Sequence, residues 1–237
     1  MALRLDGIDG RVALVTGAGR GIGRRISEVL RDQGARVAAG DLEPPATPGV
    51  LGVAMDVTDD DAVEAAFGRV ESELGPVELL VMNAGVFVIE PLEETSAESW
   101  RRSVDVNLTG AFLCARRALP GMRERGYGRL VAIGSSAGKT GGAKSVAAYA
   151  ASKAGVMALS KSIASEYAGA GITSNALAPA LIDTEMIASM PDMREAVPVG
   201  RLGTPDDVAG IVAFLCSEHA GYVTGEVVDV NGGFLID

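Results

Sequence analysis

The sequence contains few residues of the types that build disulfide frameworks and zinc sites. Two cysteines and one histidine stand among 237 residues, so neither a disulfide framework nor a metal centre is predicted. Basic residues are also in the minority, with 21 Lys and Arg against 31 Asp and Glu, a formal charge of −10. Because such a charge repels phosphate backbones, nucleic acid is not an expected partner.

Long hydrophobic runs are absent as well. No stretch approaches 18 residues without a charge or a glycine, which is about the length that a membrane-spanning helix needs. The first residues, MALRLDGIDG, contain acids and no apolar run that ends at a small-residue cleavage site. We therefore expect neither a secretory signal nor a membrane partner, and the low cysteine count is typical of a cytoplasmic protein.

Short apolar runs rich in β-branched residues recur along the chain, with helical stretches between them. The runs are nearly continuous rather than alternating, which is typical of parallel strands covered by helices on both faces. Strands are predicted at 12–15, 35–39, 51–55, 77–82, 130–133, 172–177 and 227–230, and helices at 21–33, 59–74, 97–119, 149–168 and 205–217. Thr58, Ser96 and Thr204 are the expected helix starts. The pattern predicts an α/β fold, a doubly wound seven-stranded parallel sheet in a single domain over 1–237.

The segment 180–203 is the longest one without a predicted helix or strand. Loops of this length inside a compact domain are usually functional. Met186, Met190 and Met193 lie in it, and flexible thioethers suit a lid over an apolar ligand. A short amphipathic helix packed on the body of the protein is an equally good interpretation.

A glycine-rich turn, TGAGRGIG at 16–23, follows the first predicted strand and opens the first helix. This context is typical of a dinucleotide-binding turn. Gly17 would permit the tight turn, Gly21 would let the backbone approach a pyrophosphate, and Gly23 would let the helix pack on the strand. The helix start then offers free N–H groups to the anion. Alternatively, these glycines only shape the turn.

Asp41 ends the second predicted strand, eighteen residues beyond Gly23. A carboxylate there can accept hydrogen bonds from the adenosine ribose and repel a 2′-phosphate, so NAD is favoured and NADP is less likely. Leu42 and Glu43 supply no basic group for that phosphate, although Arg20 could partly serve. The alternative is that Asp41 merely caps a turn.

Tyr149 and Lys153 lie four residues apart in YAASK, a spacing that puts both side chains on one face of a helix. A phenol with its usual pKa of about 10 is a poor base at neutral pH, so an ammonium that favours the phenolate suits a proton-transfer site. By itself this pair is common on ordinary solvated helices.

Several motifs together resemble the short-chain dehydrogenase/reductase family in its compact branch, in that family's order. They are TGAGRGIG, the Asn83-Ala84-Gly85 triplet, DVNLTG with Asn107, IGSSAG, YAASK, and the segments 174–186 and 200–233. The resemblance covers essentially the whole chain and implies a Rossmann-type fold. It is closest to enzymes of the 3-oxoacyl-[acyl-carrier-protein] reductase type.

The resemblance implies a catalytic set of Asn107, Ser135, Tyr149 and Lys153. Tyr149 would be the general acid/base, Lys153 would hold the nicotinamide ribose and lower the pKa of Tyr149, and Asn107 would position a relay water. Ser135 would bind the substrate oxygen. It stands fourteen residues before Tyr149, one more than is usual, so an insertion is expected in 139–148. Ser136 is the alternative serine, and on a strand the two would face opposite sides.

The resemblance also implies a cofactor-binding set. Asp56 and Val57 would contact adenine, Asn83 to Gly85 would flank the adenosine, and Ile182 and Thr184 would hold the carboxamide and pyrophosphate. The implied set is Gly17, Arg20, Gly21, Ile22, Gly23, Asp41, Leu42, Asp56, Val57, Asn83, Ala84, Gly85, Tyr149, Lys153, Pro179, Ile182 and Thr184. Val57 and Ile182 have core packing as their alternative. Pro179-Ala180 departs from the family's Pro-Gly.

The implied activity is NAD(H)-dependent interconversion of a small secondary alcohol and a ketone. The alternative is reduction of a 3-oxoacyl thioester of acyl carrier protein or CoA, and a less favoured one is a silent nucleotide-sensing protein. Carrier-protein enzymes often have a basic residue where this chain has Ala170, although Arg123, Arg125 and Arg129 could form a basic patch. The family is usually a homo-oligomer, most often a tetramer.

Overall fold

A computed structural model describes residues 5–187 and 192–236. Its strands are β1 (Val12–Thr16), β2 (Arg36–Asp41), β3 (Val50–Ala54), β4 (Leu79–Met82), β5 (Gly128–Ile133), β6 (Ile172–Pro179) and β7 (Val227–Val230). Its helices are α1 (Gly21–Asp32), α2 (Asp60–Glu73), α3 (Ala97–Val104), α4 (Gly110–Arg125), α5 (Ser136–Thr140), α6 (Ala147–Tyr167) and α7 (Pro205–Cys216). Within these residues no helix has both the length and the apolar character to cross a membrane.

The seven strands form one sheet in the order β3-β2-β1-β4-β5-β6-β7, and every neighbouring pair is parallel. The predicted doubly wound seven-stranded sheet is therefore confirmed. The chain reverses its direction across the sheet between β1 and β4. In such sheets ligands bind at this switch point, beyond the carboxyl ends of the strands.

Both faces of the sheet are buried, which explains the continuous apolar runs. One core contains Phe67 of α2, Met122 of α4 and Leu130 of β5. The other lies under α1 and α7 and contains Ile26 and Val212. These two cores fix the helices that carry the candidate site residues.

Two of the three expected helix starts are confirmed. The Ser96 side chain accepts from the Ser99 amide, and Thr204 forms a capping box with Asp207. The prediction for Thr58 is wrong, because Asp59 caps α2 while Thr58 donates its hydroxyl to Asp56. A carboxylate is as good a cap as a threonine hydroxyl, so sequence alone did not decide between these neighbours.

The predicted helix at 97–119 is instead two helices joined by a π-helical turn, Asp105–Thr109. The second helix, α4, continues through Pro120 to Arg125 and stops at Gly126, which has a φ of 67°. The prediction ended too early because proline usually breaks a helix interior. The short α5 was not predicted.

The two ends of the segment 180–203 are paired with each other through backbone hydrogen bonds. Ile182 and Gly203 form an isolated parallel bridge, and the Asp183 amide donates to the Gly203 carbonyl at 2.8 Å. Its described residues contain two short 3₁₀ turns, Glu185–Ile187 and Arg194–Ala196. Met190 lies outside the described residues. A lid over this region remains a prediction.

Candidate functional site

The glycine turn between β1 and α1 is shaped by close contacts. Gly17 has a φ of 63° and Gly21 one of 53°, a region that favours glycine. A Cβ on Gly17 would lie 2.6 Å from the Ala84 Cα, and a Cβ on Gly23 would lie 2.3 Å from the Gly17 carbonyl oxygen. The turn therefore requires glycine at Gly17 and Gly23 because no side chain fits there.

The start of α1 has the features of an anion site. The helix begins after Arg20 without a side-chain cap, and its first turn has no acidic residue. Its first N–H groups and the positive end of its dipole therefore have no capping side chain and no acidic residue of the helix beside them. These residues fit the pyrophosphate of a dinucleotide. Arg20 itself is exposed and lies 3.6 Å from Glu185, and Ile22 packs against the α1 core.

Asp41 is the last residue of β2 and faces the glycine turn. Its Oδ2 accepts from the Gly19 amide at 2.8 Å, and its Oδ1 accepts from the Glu43 amide at 3.3 Å. The alternative interpretation, a turn cap, is therefore present in this structure. It leaves further lone pairs on the carboxylate, so turn capping and ribose binding are compatible. Leu42 beside it is 70% exposed.

Asn83 ties the end of β4 to the same turn. Its Nδ2 donates to the carbonyl oxygens of Thr16 and Gly17, both at 2.9 Å. The amides of Asn83 and Ala84 donate to the Thr16 hydroxyl, both at 3.1 Å. Thr16 was missed as a site residue, although its place directly after β1 is a signal for this role.

The residues predicted to contact adenine are engaged with the protein. The Asp56 carboxylate accepts from the Thr58 amide and hydroxyl. Val57 is buried in the core under α4, and a Cβ on Gly110 would lie 2.7 Å from its Cγ2. Core packing, the alternative for Val57, is therefore what its contacts show.

The predicted cofactor contacts at the end of β6 and after it each have different surroundings. Ile182 is buried against the α7 side of the sheet, which also agrees with its core-packing alternative. Pro179 ends β6. Thr184 lies over the glycine turn, since a Cβ on Gly21 would be 3.8 Å from its Cγ2. Thr184 is therefore placed where a pyrophosphate at the α1 start would lie.

Asn107 sits in the π-helical turn, and both its amide oxygen and its amide nitrogen are hydrogen-bonded. Its Oδ1 accepts from the Val86 amide at 2.7 Å, and its Nδ2 donates to the Val86 carbonyl at 3.0 Å and to the Ser152 hydroxyl at 2.9 Å. Ser152 in turn donates to the Tyr149 carbonyl at 2.8 Å. Ser152 was missed, although its place inside YAASK was visible in the sequence.

Lys153 is buried beside Asn107 and Tyr149. A Cβ on Gly85 would lie 3.2 Å from the Asn107 Oδ1 and 3.3 Å from the Lys153 Nζ, so Gly85 keeps this space open. The Nζ donates to the Ile133 carbonyl at 2.7 Å and lies 5.9 Å from the centre of the Tyr149 ring. Burial lowers the pKa of Lys153 to about 8.

Tyr149 is the partner of Ser135. Burial raises the pKa of the Tyr149 phenol, and a hydrogen bond with the Ser135 side chain opposes that rise. Lys153 makes no contribution to the shift, so the expected lowering of the Tyr149 pKa by Lys153 is not found, and the net effect of burial is a rise. Tyr149 as a whole residue is half-buried.

The two candidate serines are separated by a helix start rather than by a strand. Strand β5 ends at Ile133, and Ser135 caps α5 by accepting from the Ala137 amide at 3.1 Å. The expectation that Ser135 and Ser136 face opposite sides of a strand is therefore wrong. Within 139–148 Ser145 has a φ of 66°, and the insertion in this segment stays a prediction.

The proposed basic patch does not form. Arg129 is buried, and its guanidinium donates to the carbonyl oxygens of Gly128 and Gly171. Arg125 donates to the Val77 carbonyl at 2.9 Å. Because Arg129 is a strand residue covered by the protein, the patch of three arginines is not formed, and of the three only Arg123 and Arg125 are exposed.

The candidate groups form one continuous site along the carboxyl ends of β1, β4 and β5. Contacts lead from the glycine turn through Asn83 and Gly85 to Asn107 and Lys153, and from Lys153 to the Tyr149 ring. The site therefore pairs an anion-binding helix start with a buried phenol and ammonium, an arrangement that can hold a dinucleotide and move a proton.

The chain matches known oxidoreductases over most of its length. A family model described as enoyl-(acyl carrier protein) reductase matches residues 17–235. The 3-oxoacyl-[acyl-carrier-protein] reductase MabA of Mycobacterium tuberculosis is 43% identical over 228 residues, which cover 94% of this chain and 92% of that protein. The cis-4-hydroxycyclohexanecarboxylate dehydrogenase of Sinomonas cyclohexanicum is 40% identical and covers 94% of this chain and 96% of its own length.

A solved structure agrees with these matches. The 3-ketoacyl-(acyl-carrier-protein) reductase of Brucella melitensis, complexed with NADH, aligns with a TM-score of 0.93 at 33% identity, over 97% of this chain and 100% of that one. The family resemblance that the motifs predicted is thereby confirmed. Sequence and fold agree over nearly the full length, and the chain belongs to the short-chain dehydrogenase/reductase family of oxidoreductases.

Proposed function

We propose that this protein is an NAD-dependent oxidoreductase that interconverts a secondary alcohol and a ketone by hydride transfer. One observation carries the proposal: Tyr149 lies one helical turn from the buried Lys153, whose Nζ bonds to the Ile133 carbonyl at the carboxyl end of β5, on the sheet edge that also holds the glycine turn. A proton donor and a dinucleotide turn on one edge are what this reaction requires.

The protein's own groups handle the proton and the substrate oxygen. When bound, the nicotinamide supplies or accepts the hydride. In the reductive direction Tyr149 donates its phenolic proton to the carbonyl oxygen, and Ser135 binds that oxygen. In the oxidative direction the same phenolate takes the hydroxyl proton. Because burial raises the pKa of Tyr149, the phenol stays protonated at neutral pH, which favours its role as an acid.

Lys153 and Asn107 complete the proposed catalytic set. Lys153 holds the nicotinamide ribose and restores the Tyr149 proton, with Asn107 in support. A Cβ on Gly85 would lie only 3.2 Å from the Asn107 Oδ1 and 3.3 Å from the Lys153 Nζ. Glycine at this position therefore keeps the space between the two side chains open. A silent nucleotide-sensing protein is disfavoured, because the chain keeps all four residues of the set.

NAD is the proposed cofactor, held by the turn and by the ends of the neighbouring strands. Asp41 at the end of β2 places a negative charge where the 2′-phosphate of NADP would lie. The NADH in the Brucella melitensis reductase agrees with this choice. The proposed contacts are Gly17, Arg20, Gly21, Ile22, Gly23, Asp41, Leu42, Asp56, Val57, Asn83, Ala84, Gly85, Tyr149, Lys153, Pro179, Ile182 and Thr184.

A 3-oxoacyl thioester is the second candidate substrate. The relatives from Mycobacterium tuberculosis and Brucella melitensis are both named as reductases of this substrate class, which supports this candidate. Arg129 is buried and adds no positive charge to the surface, and the chain has a formal charge of −10. Both features disfavour the docking of an acidic carrier protein that presents the thioester. A CoA thioester is therefore the form to test first.

The proposed assembly is a cytoplasmic homotetramer that acts on a small molecule. Trp100 on α3 and Phe112 on α4 are 40% and 44% exposed, and such large apolar side chains on one helical stretch suit a contact between copies. Light scattering at micromolar concentration tests this part, and a monomer would contradict it.

The experiment for the activity is a screen by NADH absorbance, in both directions and with NAD and NADP. Acetoacetyl-CoA, cyclic secondary alcohols, hydroxysteroids and sugars are the substrates, and Tyr149→Phe is the matched variant. We expect NAD-linked turnover that the variant reduces by about 10³-fold or more. Turnover that survives Tyr149→Phe cannot come from this site and would contradict the proposal.

A further inference from the structure

Phe87 packs against the proposed catalytic tyrosine. It lies in the loop between β4 and α3, and its ring centre is 4.8 Å from that of Tyr149, with the two planes at 78°. This is an edge-to-face pair, in which the positive edge of one ring meets the negative face of the other. The contact restricts where the Tyr149 ring can sit.

The loop that carries Phe87 is held on both sides of this residue. Immediately before it, both backbone polar atoms of Val86 bond to the Asn107 amide group. Three residues after it, the Glu90 amide donates to the Ser145 carbonyl at 2.7 Å. Phe87 is therefore a fixed support for Tyr149 and not a side chain on a free loop.

The same bonds connect Phe87 with the rest of the site. Asn107 also bonds to Ser152, which bonds to the Tyr149 carbonyl. Tyr149 is thus held at its backbone by Ser152 and at its ring by Phe87. A displaced reacting group is costly, because catalysis depends on its orientation.

We propose that Phe87 is a positioning residue for the reaction: it fixes the Tyr149 ring and keeps water away from the phenol. The inference rests on the proposed function, in which Tyr149 transfers the proton. The inference can be tested separately from the proposed function, because the packing around the Tyr149 phenol does not depend on whether a given substrate is turned over.

The sign of the expected pH effect follows from the burial. Burial raises the pKa of Tyr149, because the phenolate is poorly solvated among protein atoms. Without the Phe87 ring, water reaches the phenolate, and the pKa of Tyr149 falls. The pH at which the reductive rate declines, as the phenol loses its proton, then moves to lower values. A merely structural contact would change stability and leave this pH unchanged.

The test compares Phe87→Ala with Phe87→Leu, which keeps an apolar side chain of useful size, and with Leu92→Ala. Leu92 lies in the same loop and is 65% exposed, which makes it a matched control. With acetoacetyl-CoA and NADH we expect Phe87→Ala to lower kcat by about tenfold with a smaller change in KM. We expect Phe87→Leu to restore part of the loss and Leu92→Ala to equal the unaltered protein.

A second measurement needs no substrate. Ultraviolet titration of phenolate formation, with the Tyr149→Phe protein subtracted, reports the ionisation of Tyr149 alone. Phe87→Ala should shift that ionisation to lower pH, and Phe87→Leu should shift it less. An unshifted ionisation in Phe87→Ala overturns the inference, whatever happens to kcat.

The outcomes separate the two proposals. If the unaltered protein turns over no substrate, or if Tyr149→Phe stays active, the proposed function fails, and the ultraviolet titration still decides the role of Phe87. If turnover depends on Tyr149 but Phe87→Ala keeps both its kcat and its pH profile, the inference about Phe87 fails alone.

Discussion

The Lys153 ammonium donates a hydrogen bond to the Ile133 carbonyl oxygen at 2.7 Å, in a position that is almost closed to solvent. This bond fixes the cation at the carboxyl end of β5. It does not fully replace the lost water, because burial still lowers the pKa of Lys153 to about 8. The protein therefore keeps a costly buried charge at the site where the proposed chemistry needs it.

Because the buried charge of Lys153 is costly, replacing this lysine with an apolar residue should stabilise the fold and abolish turnover. The folded-state pKa of Lys153, about 8, is below its ordinary value of 10.5, so the cost is fully present below pH 8 and is relieved as pH rises towards 10.5. Lys153→Met should raise the free energy of unfolding at pH 7 by up to about 3 kcal/mol, less what the bond to Ile133 contributes. Turnover should be lost.

Urea unfolding at several pH values checks this prediction. The gain of Lys153→Met over the unaltered protein should shrink between pH 8 and 10. The control is Lys161→Met, which changes an exposed lysine of the same helix and should have little effect. A gain that grows with pH would contradict the argument.

The two roles of Asp41 can be separated by two substitutions. Asp41→Asn removes the charge but keeps an oxygen that can accept from the Gly19 amide, whereas Asp41→Ala removes both. We expect both variants to lower the preference for NAD over NADP, measured as the ratio of kcat/KM values, by about tenfold or more, which is about 1.4 kcal/mol. Asp41→Ala alone should also lower the Tm.

Glu43→Gln is the control for general charge, since Glu43 is an exposed acid two residues away. It should leave the cofactor preference unchanged. If Asp41→Asn also left the ratio unchanged, Asp41 would be a turn cap without a role in cofactor choice.

Ser152 should affect turnover without contacting the substrate. Ser152→Ala removes the acceptor for Asn107 and the donor to the Tyr149 carbonyl. One such hydrogen bond contributes about 1 kcal/mol, so we expect kcat to fall roughly fivefold while KM changes little. Ser160→Ala is the matched control, a buried serine of the same helix that bonds to Ser174. Steady-state kinetics should show a loss for Ser152→Ala only; equal losses in both would indicate a general loss of packing.

Two glycine substitutions should have opposite effects on stability. A Cβ at Gly23 would lie 2.3 Å from the Gly17 carbonyl oxygen, so Gly23→Ala should destabilise the protein by about 2 kcal/mol and weaken NAD binding. Gly68 lies inside α2 with no atom near its missing side chain, so Gly68→Ala should stabilise it by about 1 kcal/mol. Thermal unfolding and NADH fluorescence titration test both. Gly23→Ala with full stability and affinity would contradict the close approach.

The sequence by itself predicted the sheet and the glycine turn, because both depend on local properties. Continuous apolar runs are required wherever a strand is covered on both faces, and seven such runs became the seven strands. Gly17 was predictable because a tight turn with a left-handed φ favours glycine at that position; the same φ at Gly21, which was assigned to close approach of a pyrophosphate, came from the structure. The spacing of Tyr149 and Lys153 likewise follows from the helical repeat.

Only the tertiary structure decided which residues distant in the chain meet. Asn107 bonds to Val86, Phe87 packs against Tyr149, and Lys153 bonds to the Ile133 carbonyl. Arg129 appeared as a surface charge in the sequence but is covered by the fold. Local propensity carries no information on such pairs, because each depends on how the loops and helices pack around the completed sheet.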